Sequence, residues 1–324
     1  MRLPSLPSSL LGLTLPLLLP LAAGGCGPGA TAKVQPSAAP EVEPAATGEP
    51  EPSEPLAPPG TDAGKDASLP ADGTAGCGKA PPSLGAADGV ALTVGATTRT
   101  YTIALPEGYD PTRAYRLVFG FHSGGRNGAG TRPYYDLESR AGNSAIFVYP
   151  DGLKGSWDLE TPAEKNRDVA FFDALVATIS ASHCIDRTRI FAMGTSMGAY
   201  LTNQLGCRRG NTLRAIATHA GGGPFELQGS YDAQGTLVCP ERPVAAAIFH
   251  GLSDTNVAPS EGDKSIKHWR TVNHCKSSSS PRSPSPCEAP DGCDRPVLIC
   301  KIPGQGHAIW ASGRQATWDF FAGF

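Results

Sequence analysis

From about residue 77 onward, short apolar runs alternate with segments of helical periodicity. Residues 101–105, 115–121, 145–149, 189–193, 213–219, 243–250 and 296–302 read as strands. Several are continuous β-rich runs, the pattern of strands buried on both faces of a parallel sheet. Residues 168–183 read as a helix entered at Asn166 or Asp168. There Val169, Phe172, Leu175, Val176 and Ile179 recur at the spacing of one buried face. Further helices are expected at 197–206, 263–274 and 314–321. Strands alternating with helices predict an α/β fold with a mostly parallel central sheet flanked by helices. In such sheets chemistry gathers at the carboxyl ends of the strands.

Composition then divides the chain. Residues 1–82 hold 16 of the 31 prolines and no aromatic residue, the first being Tyr101. Residues 27–76 carry eight acids and two lysines without hydrophobic periodicity. Such a segment cannot bury enough apolar surface to offset its ordering entropy and is expected to be a disordered, semi-rigid tether. The remainder, near-neutral and with no basic run, offers no footprint for nucleic acid. The expected organisation is an export signal over 1–25, a Pro/Ala/Glu-rich linker over 26–76 and one catalytic domain over 77–324.

The signal rests on Arg2, an apolar stretch over 10–23, and Ala23-Gly24-Gly25-Cys26. Small residues before a Cys resemble a bacterial lipoprotein signal, which makes Cys26 a lipidation candidate and a lipidated N-terminus the only expected membrane contact. The expected location is outside the cell or in its envelope. Eight cysteines then remain, an even set that reads as disulfides in an exported protein. The strand before residue 194 climbs the sheet and the helix after 196 descends it. Cys184 and Cys207 therefore reach the same lower edge and are expected to pair. Cys275, Cys287, Cys293 and Cys300 flank or lie in the polar loop 276–295, which one or two bridges would pin. No C-x-x-C pair points to zinc, and no metal or cofactor is expected.

Gly194-Thr195-Ser196-Met197-Gly198 is a G-x-S-x-G placed between an expected strand and an expected helix, the setting of a nucleophile elbow. A nucleophilic Ser needs a base, and the base a carboxylate to fix its tautomer. Of five downstream histidines, His219 and His250 lie at strand ends before any suitable acid, and His268 and His274 lie in a helix. His307, in Gly304-Gln305-Gly306-His307, follows a strand on a Gly-rich loop, where a base can be presented. Asp254, four residues beyond the strand ending at His250, is the expected acid, with Asp232 its rival. The oxyanion calls for two N–H donors: one from Met197, the other from His122 or Ser123 in the loop His122-Ser123-Gly124-Gly125. Trp157 and Trp310, on the same expected edge, are candidates for an ester pocket.

These residues resemble a known family. Gly76-Cys77-Gly78-Lys79, the run Tyr115 to His122 (YRLVFGFH), Ser144 to Gly152 (SAIFVYPDG), Asp168 to Ala174 (DVAFFDA), Cys184-Ile185-Asp186, the elbow, the His250-Gly251 to Asp254 turn and Gly306-His307 are similar to secreted feruloyl esterases and related polyhydroxyalkanoate depolymerase-like hydrolases. The resemblance covers about three quarters of the chain. It implies an α/β-hydrolase fold, a Ser196–His307–Asp254 triad, no metal, and a carboxylic ester substrate. Feruloyl or related acyl esters of plant polysaccharide come first, with acetylxylan and polyhydroxybutyrate as alternatives. The elbow GTSMGAY and the Ser/Pro/Cys-rich loop 276–295 depart from the family's usual pattern. A monomer acting on a polymeric ester is expected, and a catalytically silent polysaccharide-binding module is the rival.

Overall fold

The structure is a computed structural model that describes residues 74–324. The expected signal, Cys26 and nearly all of the expected linker lie outside the described residues.

Ten strands form one sheet in the order β1-β2-β4-β3-β5-β6-β7-β10-β9-β8. They are β1 (Ala86–Val94), β2 (Thr97–Ala104), β3 (Tyr115–Phe121), β4 (Ala145–Pro150), β5 (Ile185–Thr195), β6 (Ala215–His219), β7 (Ala245–Gly251), β8 (Ser279–Pro281), β9 (Cys287–Pro290) and β10 (Val297–Ile302). The six central strands β4, β3, β5, β6, β7 and β10 run parallel, and both margins are antiparallel. The helices are α1 (Gly128–Tyr135), α2 (Glu138–Ala141), α3 (Arg167–Ser182), α4 (Met197–Arg208), α5 (Pro259–Val272) and α6 (Gly313–Ala322).

The continuous apolar runs are continuous because both faces are covered. Along β3, Leu117, Phe119 and Phe121 pack toward Phe172 and Leu175 of α3, Leu201 of α4 and Trp269 of α5. Val118 between them joins the opposite layer, with Tyr135 of α1 and Trp318 and Phe321 of α6. A strand with period two thus feeds two cores, and neither face can be polar. Asn166 caps α3, its side chain accepting from the Asp168 and Val169 amides at 2.9 and 3.2 Å. Asp168 is not the cap. It is buried in an ion pair with Arg99 at 2.7 Å.

Every strand and helix expected from periodicity is present. Sequence periodicity does not announce β1, an exposed margin strand with a register break between Ala87 and Val90, or the short β8 and β9. Nor does it announce α1, whose sequence GAGTRPYY has no apolar repeat and starts on an Asn127 cap.

The expected Cys184–Cys207 bridge is corrected. The pairs are Cys77–Cys184, Cys207–Cys239, Cys275–Cys293 and Cys287–Cys300. Sheet-edge arithmetic places Cys184 and Cys207 at a common height but says nothing about lateral position. The segment before residue 79 claims Cys184: the Gly76 amide donates to Ser180 O, and Thr74 Oγ1 donates to His183 O. Cys207, at the end of α4, meets the segment that precedes β7 instead. The loop 276–295 is pinned by two bridges.

Candidate active site

The elbow is built by close backbone approach. Ser196 stands at φ 56°, ψ −122°, a conformation non-glycine residues rarely adopt. Its amide donates to His219 O at 2.9 Å, extending the β5–β6 pairing by one residue. Its carbonyl already accepts from the Ala199 amide of α4. A Cβ at Gly194 would lie 2.1 Å from Gly198 O, and one at Gly198 2.0 Å from Phe121 O, so both positions require glycine. The Met197 amide is among the first of α4 and has no acceptor within the helix.

Asp254 and His307 arrive on the turns after β7 and β10, which are parallel neighbours. The two turns are tied by Leu252 N–H to Ile302 O at 2.9 Å and Ser253 N–H to Gln305 O at 3.0 Å. A Cβ at Gly251 would sit 2.2 Å from Gln305 O, which explains the glycine there. His307 Nδ1 donates to Asp254 Oδ2 at 2.8 Å, and Asp254 Oδ1 accepts the Asn256 and Val257 amides, each at 2.9 Å. Burial acts to raise the Asp254 carboxyl, but the two amides and His307 outweigh it and hold the acid below the usual carboxylate range. An imidazole that donates through Nδ1 keeps a lone pair on Nε2.

The other downstream histidines are committed elsewhere. His250 Nε2 donates to Val257 O at 3.0 Å and lies 3.6 Å from Asp254 Oδ2, beneath the turn. His219 is stacked on Phe249, His268 lies against the Cys239 sulfur, and His274 pairs with Asp294 at the surface. Asp232 folds onto its own loop, accepting from the Gln234 and Thr236 amides.

Ser196, Met197 and His307 open onto one cleft of about 990 Å³, with Ser123, Gly124, Arg126, Tyr134, Lys154 and Asn256 among its other walls. His122 does not reach it. The ring is fully buried, with Nδ1 donating to Ser123 O at 2.8 Å and Nε2 accepting the Gly152 amide at 2.8 Å. Burial pushes its pKa down, so it is a neutral strut behind the loop. Trp157 is likewise corrected as a pocket residue. It is 4% exposed, stands edge-on against Phe121, and donates its indole N–H to His122 O at 2.8 Å. Trp310 is half-buried against the core layer on the α6 side and is not a wall of the cleft.

The motifs quoted for their resemblance turn out to support this strut. Asp151 accepts the Gly128 amide at 2.6 Å and the Thr100 hydroxyl at 2.7 Å. Arg99 joins the Asp151 carbonyl to the Asp168 carboxylate, and Asp168 also accepts the Asp158 amide. The chain around Gly152 is thereby fixed against His122. Tyr134, unannounced by sequence, anchors the far wall: its hydroxyl accepts the Ile309 amide two residues past His307.

No protein-family model matches the chain. Among curated proteins, feruloyl esterase C of Emericella nidulans is 33% identical over 264 residues, covering 76% of this chain and 90% of that protein. The "Probable feruloyl esterase C" of Aspergillus terreus is 32% identical over 267 residues, covering 77% and 91%. Among solved structures, the acetyl xylan esterase from Aspergillus awamori superposes with a TM-score of 0.57 at 18% identity, covering 72% of this chain and 98% of that one. A mutant feruloyl esterase module from Clostridium thermocellum, complexed with sinapinate, gives 0.50 at 13%, covering 76% and 89%. At those identities the structural likeness establishes the fold, that of the α/β-hydrolases.

Proposed function

This chain belongs to the feruloyl esterase family and is a carboxylic ester hydrolase, and we propose that Ser196 is its nucleophile, His307 its base and Asp254 the acid that orients His307. Ser196 Oγ attacks the ester carbonyl and passes its proton to His307 Nε2. The tetrahedral intermediate collapses as His307 returns that proton to the leaving alcohol, which leaves an acyl-enzyme. Water, deprotonated by the same imidazole, then releases the acid. Asp254, held ionised by two amides, stabilises the imidazolium that forms in each half-reaction.

The oxyanion is received by the Met197 amide and one amide of the loop after β3. His122 is too deeply buried to be that donor, and Gly125 N–H is already spent on Gly155 O at 2.8 Å. His122 Nδ1 holds the Ser123 carbonyl, and in a trans peptide the following N–H points the opposite way. The loop amides left for the second donor are those of Ser123 and of Gly124, one residue beyond it, both walls of the cleft. The substrate class is a feruloyl or related acyl ester of plant polysaccharide.

The observation that carries this reading is the 2.8 Å bond from His307 Nδ1 to Asp254 Oδ2 beside the cleft that Ser196 lines. Ser196→Ala is expected to lower methyl ferulate hydrolysis by about 10⁴-fold or more and to abolish fluorophosphonate labelling, with circular dichroism unchanged. Labelling that persists in the variant overturns the assignment. Methyl ferulate, acetylated xylan and polyhydroxybutyrate compared on the wild-type chain rank the substrates.

A further inference from the structure

Helix α1 takes no part in the chemistry proposed above, yet it forms one wall of the cleft, from the oxyanion loop to the base. Its Asn127 cap follows that loop directly, and its Gly128 amide donates to Asp151 Oδ1 at 2.6 Å. Its other end is fixed by Arg132, which donates through Nε and Nη2 to the two carboxylate oxygens of Glu138, each at 2.8 Å.

The last turn of this helix carries two adjacent tyrosines. Consecutive helical residues point about 100° apart, and these two reach different elements. Tyr135 is buried, and its hydroxyl donates to Phe121 O at 2.6 Å. That carbonyl is the one a Cβ at Gly198 would strike, so the bond lies where the oxyanion loop leaves β3 and α4 crosses it. Tyr134, 39% exposed, turns toward the loop of the base. Its hydroxyl accepts the Ile309 amide at 3.1 Å, its carbonyl accepts Arg314 Nε at 3.0 Å, and its ring lies 5.6 Å from the Arg314 guanidinium.

The base depends on such a tie. His307 follows Gly304 and Gly306, and Gly304 stands at φ 71°. Upstream of His307, Ser253 N–H donates to Gln305 O at 3.0 Å and joins the loop to the turn of the acid. Downstream, the Ala308 amide closes on Gly306 O within the loop itself. Among the described residues, the Ile309 amide is the first beyond His307 to bond another element, and the Tyr134 hydroxyl is its acceptor. A general base works only while its nitrogen lies within hydrogen-bond reach of the proton it takes. A loop held on one side alone would leave that position often, and a small misplacement is costly in rate.

We propose that Tyr134 is a positioning residue for the base. Its hydroxyl fixes the far side of the His307 loop, and α1 sets base and oxyanion loop in one frame, Tyr134 holding the first and Tyr135 the second. The assignment rests on the catalytic reading of His307 given above.

Tyr134→Phe removes the hydroxyl alone, and methyl ferulate hydrolysis by this variant is compared in the wild-type and in the His307→Ala background. In the wild-type background kcat should fall about tenfold, the value of one hydrogen bond lost from the working geometry, with KM unchanged. The melting temperature should fall by no more than roughly 2–4 °C. In the His307→Ala background the same substitution should slow the residual turnover no further, because a residue that acts through His307 has nothing left to act on. A kcat equal to that of the wild type overturns the proposal. A raised KM with kcat unchanged makes Tyr134 a substrate contact and overturns it too, as does a further loss in the His307→Ala background. A His307→Ala chain that keeps the wild-type rate overturns the catalytic reading itself, and the role of Tyr134 with it.

Discussion

Seven histidines in one chain are given different chemistry by their surroundings. His219 is sealed between Phe249, at a ring distance of 4.4 Å, and the Thr317 hydroxyl at 3.0 Å, and burial pushes its pKa down to about 3. His268 is driven to about 4 by the same cause. His307 keeps 19% of its side chain in solvent and an ionised partner at 2.8 Å. The sign of the pH effect follows. In the unfolded chain a histidine protonates near 6.5, but folded His219 stays neutral down to about 3. As pH falls through that window the unfolded state binds the extra proton, so stability is complete above the window and lost on acidification. His219→Gln is expected to make the fall in unfolding free energy shallower by about 1.4 kcal/mol per pH unit between roughly pH 6 and 4. Urea unfolding at a series of pH values measures the slope. A slope equal to that of the wild type places the proton uptake elsewhere.

At this scale Ser196, Asp254 and His307 could be picked out because their types, chain order and strand-end positions all point to one edge. Trp157 could not. Whether an indole faces a cleft or a carbonyl depends on where His122 O lies, and that oxygen is 35 residues away in sequence.

Elements were legible in proportion to how completely they are buried. The strands β4, β6 and β7 bury every residue and stand out as apolar runs. In β1 no residue is fully buried, and it is held by pairing with β2, which leaves no trace in hydrophobic order. Helix α1 depends on its Asn127 cap and on burial of Gly128, where a Cβ would meet Tyr149 O at 2.1 Å. Helix α3 was legible in both its face and its start, and its cap is tied into the site. Asn166 takes two amides of α3 through Oδ1 and gives Nδ2 to the Asp158 and Thr161 carbonyls at 2.8 and 3.1 Å. The same turn sets Asp168 against Arg99 and so supports Asp151. Asn166→Ala is expected to cost about 2–3 kcal/mol and to lower the melting temperature by roughly 5–10 °C. Asn166→Ser keeps a cap acceptor, loses the two bonds to the carbonyls, and should recover about half of that loss. Differential scanning calorimetry separates the two. Equal losses in both variants would mean that the cap acceptor contributes nothing.

At the scale of the whole molecule the four bridges share one logic: each closes a peripheral segment onto the sheet or its helices. That fits folding in an oxidising compartment. The bridge pattern was the least legible part of the sequence. Eight cysteines allow 105 connectivities, and height along the sheet constrains only one coordinate of each. Cys77–Cys184 closes a separation of 107 residues and fastens the first described segment beneath β5. The attachment begins before the Cys. Thr74 is 5% exposed, its hydroxyl donates to His183 O and accepts the Ile185 amide, and a Cβ at Gly76 would lie 2.2 Å from His183 N. Residues 74–76, compositionally part of the Pro-rich lead, thus pack as domain. A chain starting at Thr74 is expected to match the full chain in melting temperature and in turnover of methyl ferulate. A chain starting at Lys79 loses the bridge and the Thr74 contacts, and should be less stable by about 4–5 kcal/mol, the chain-entropy value for a loop of that length. Non-reducing urea unfolding of the two gives the difference directly. If both unfold at the same midpoint, the segment is a passive lead and the domain closes without it.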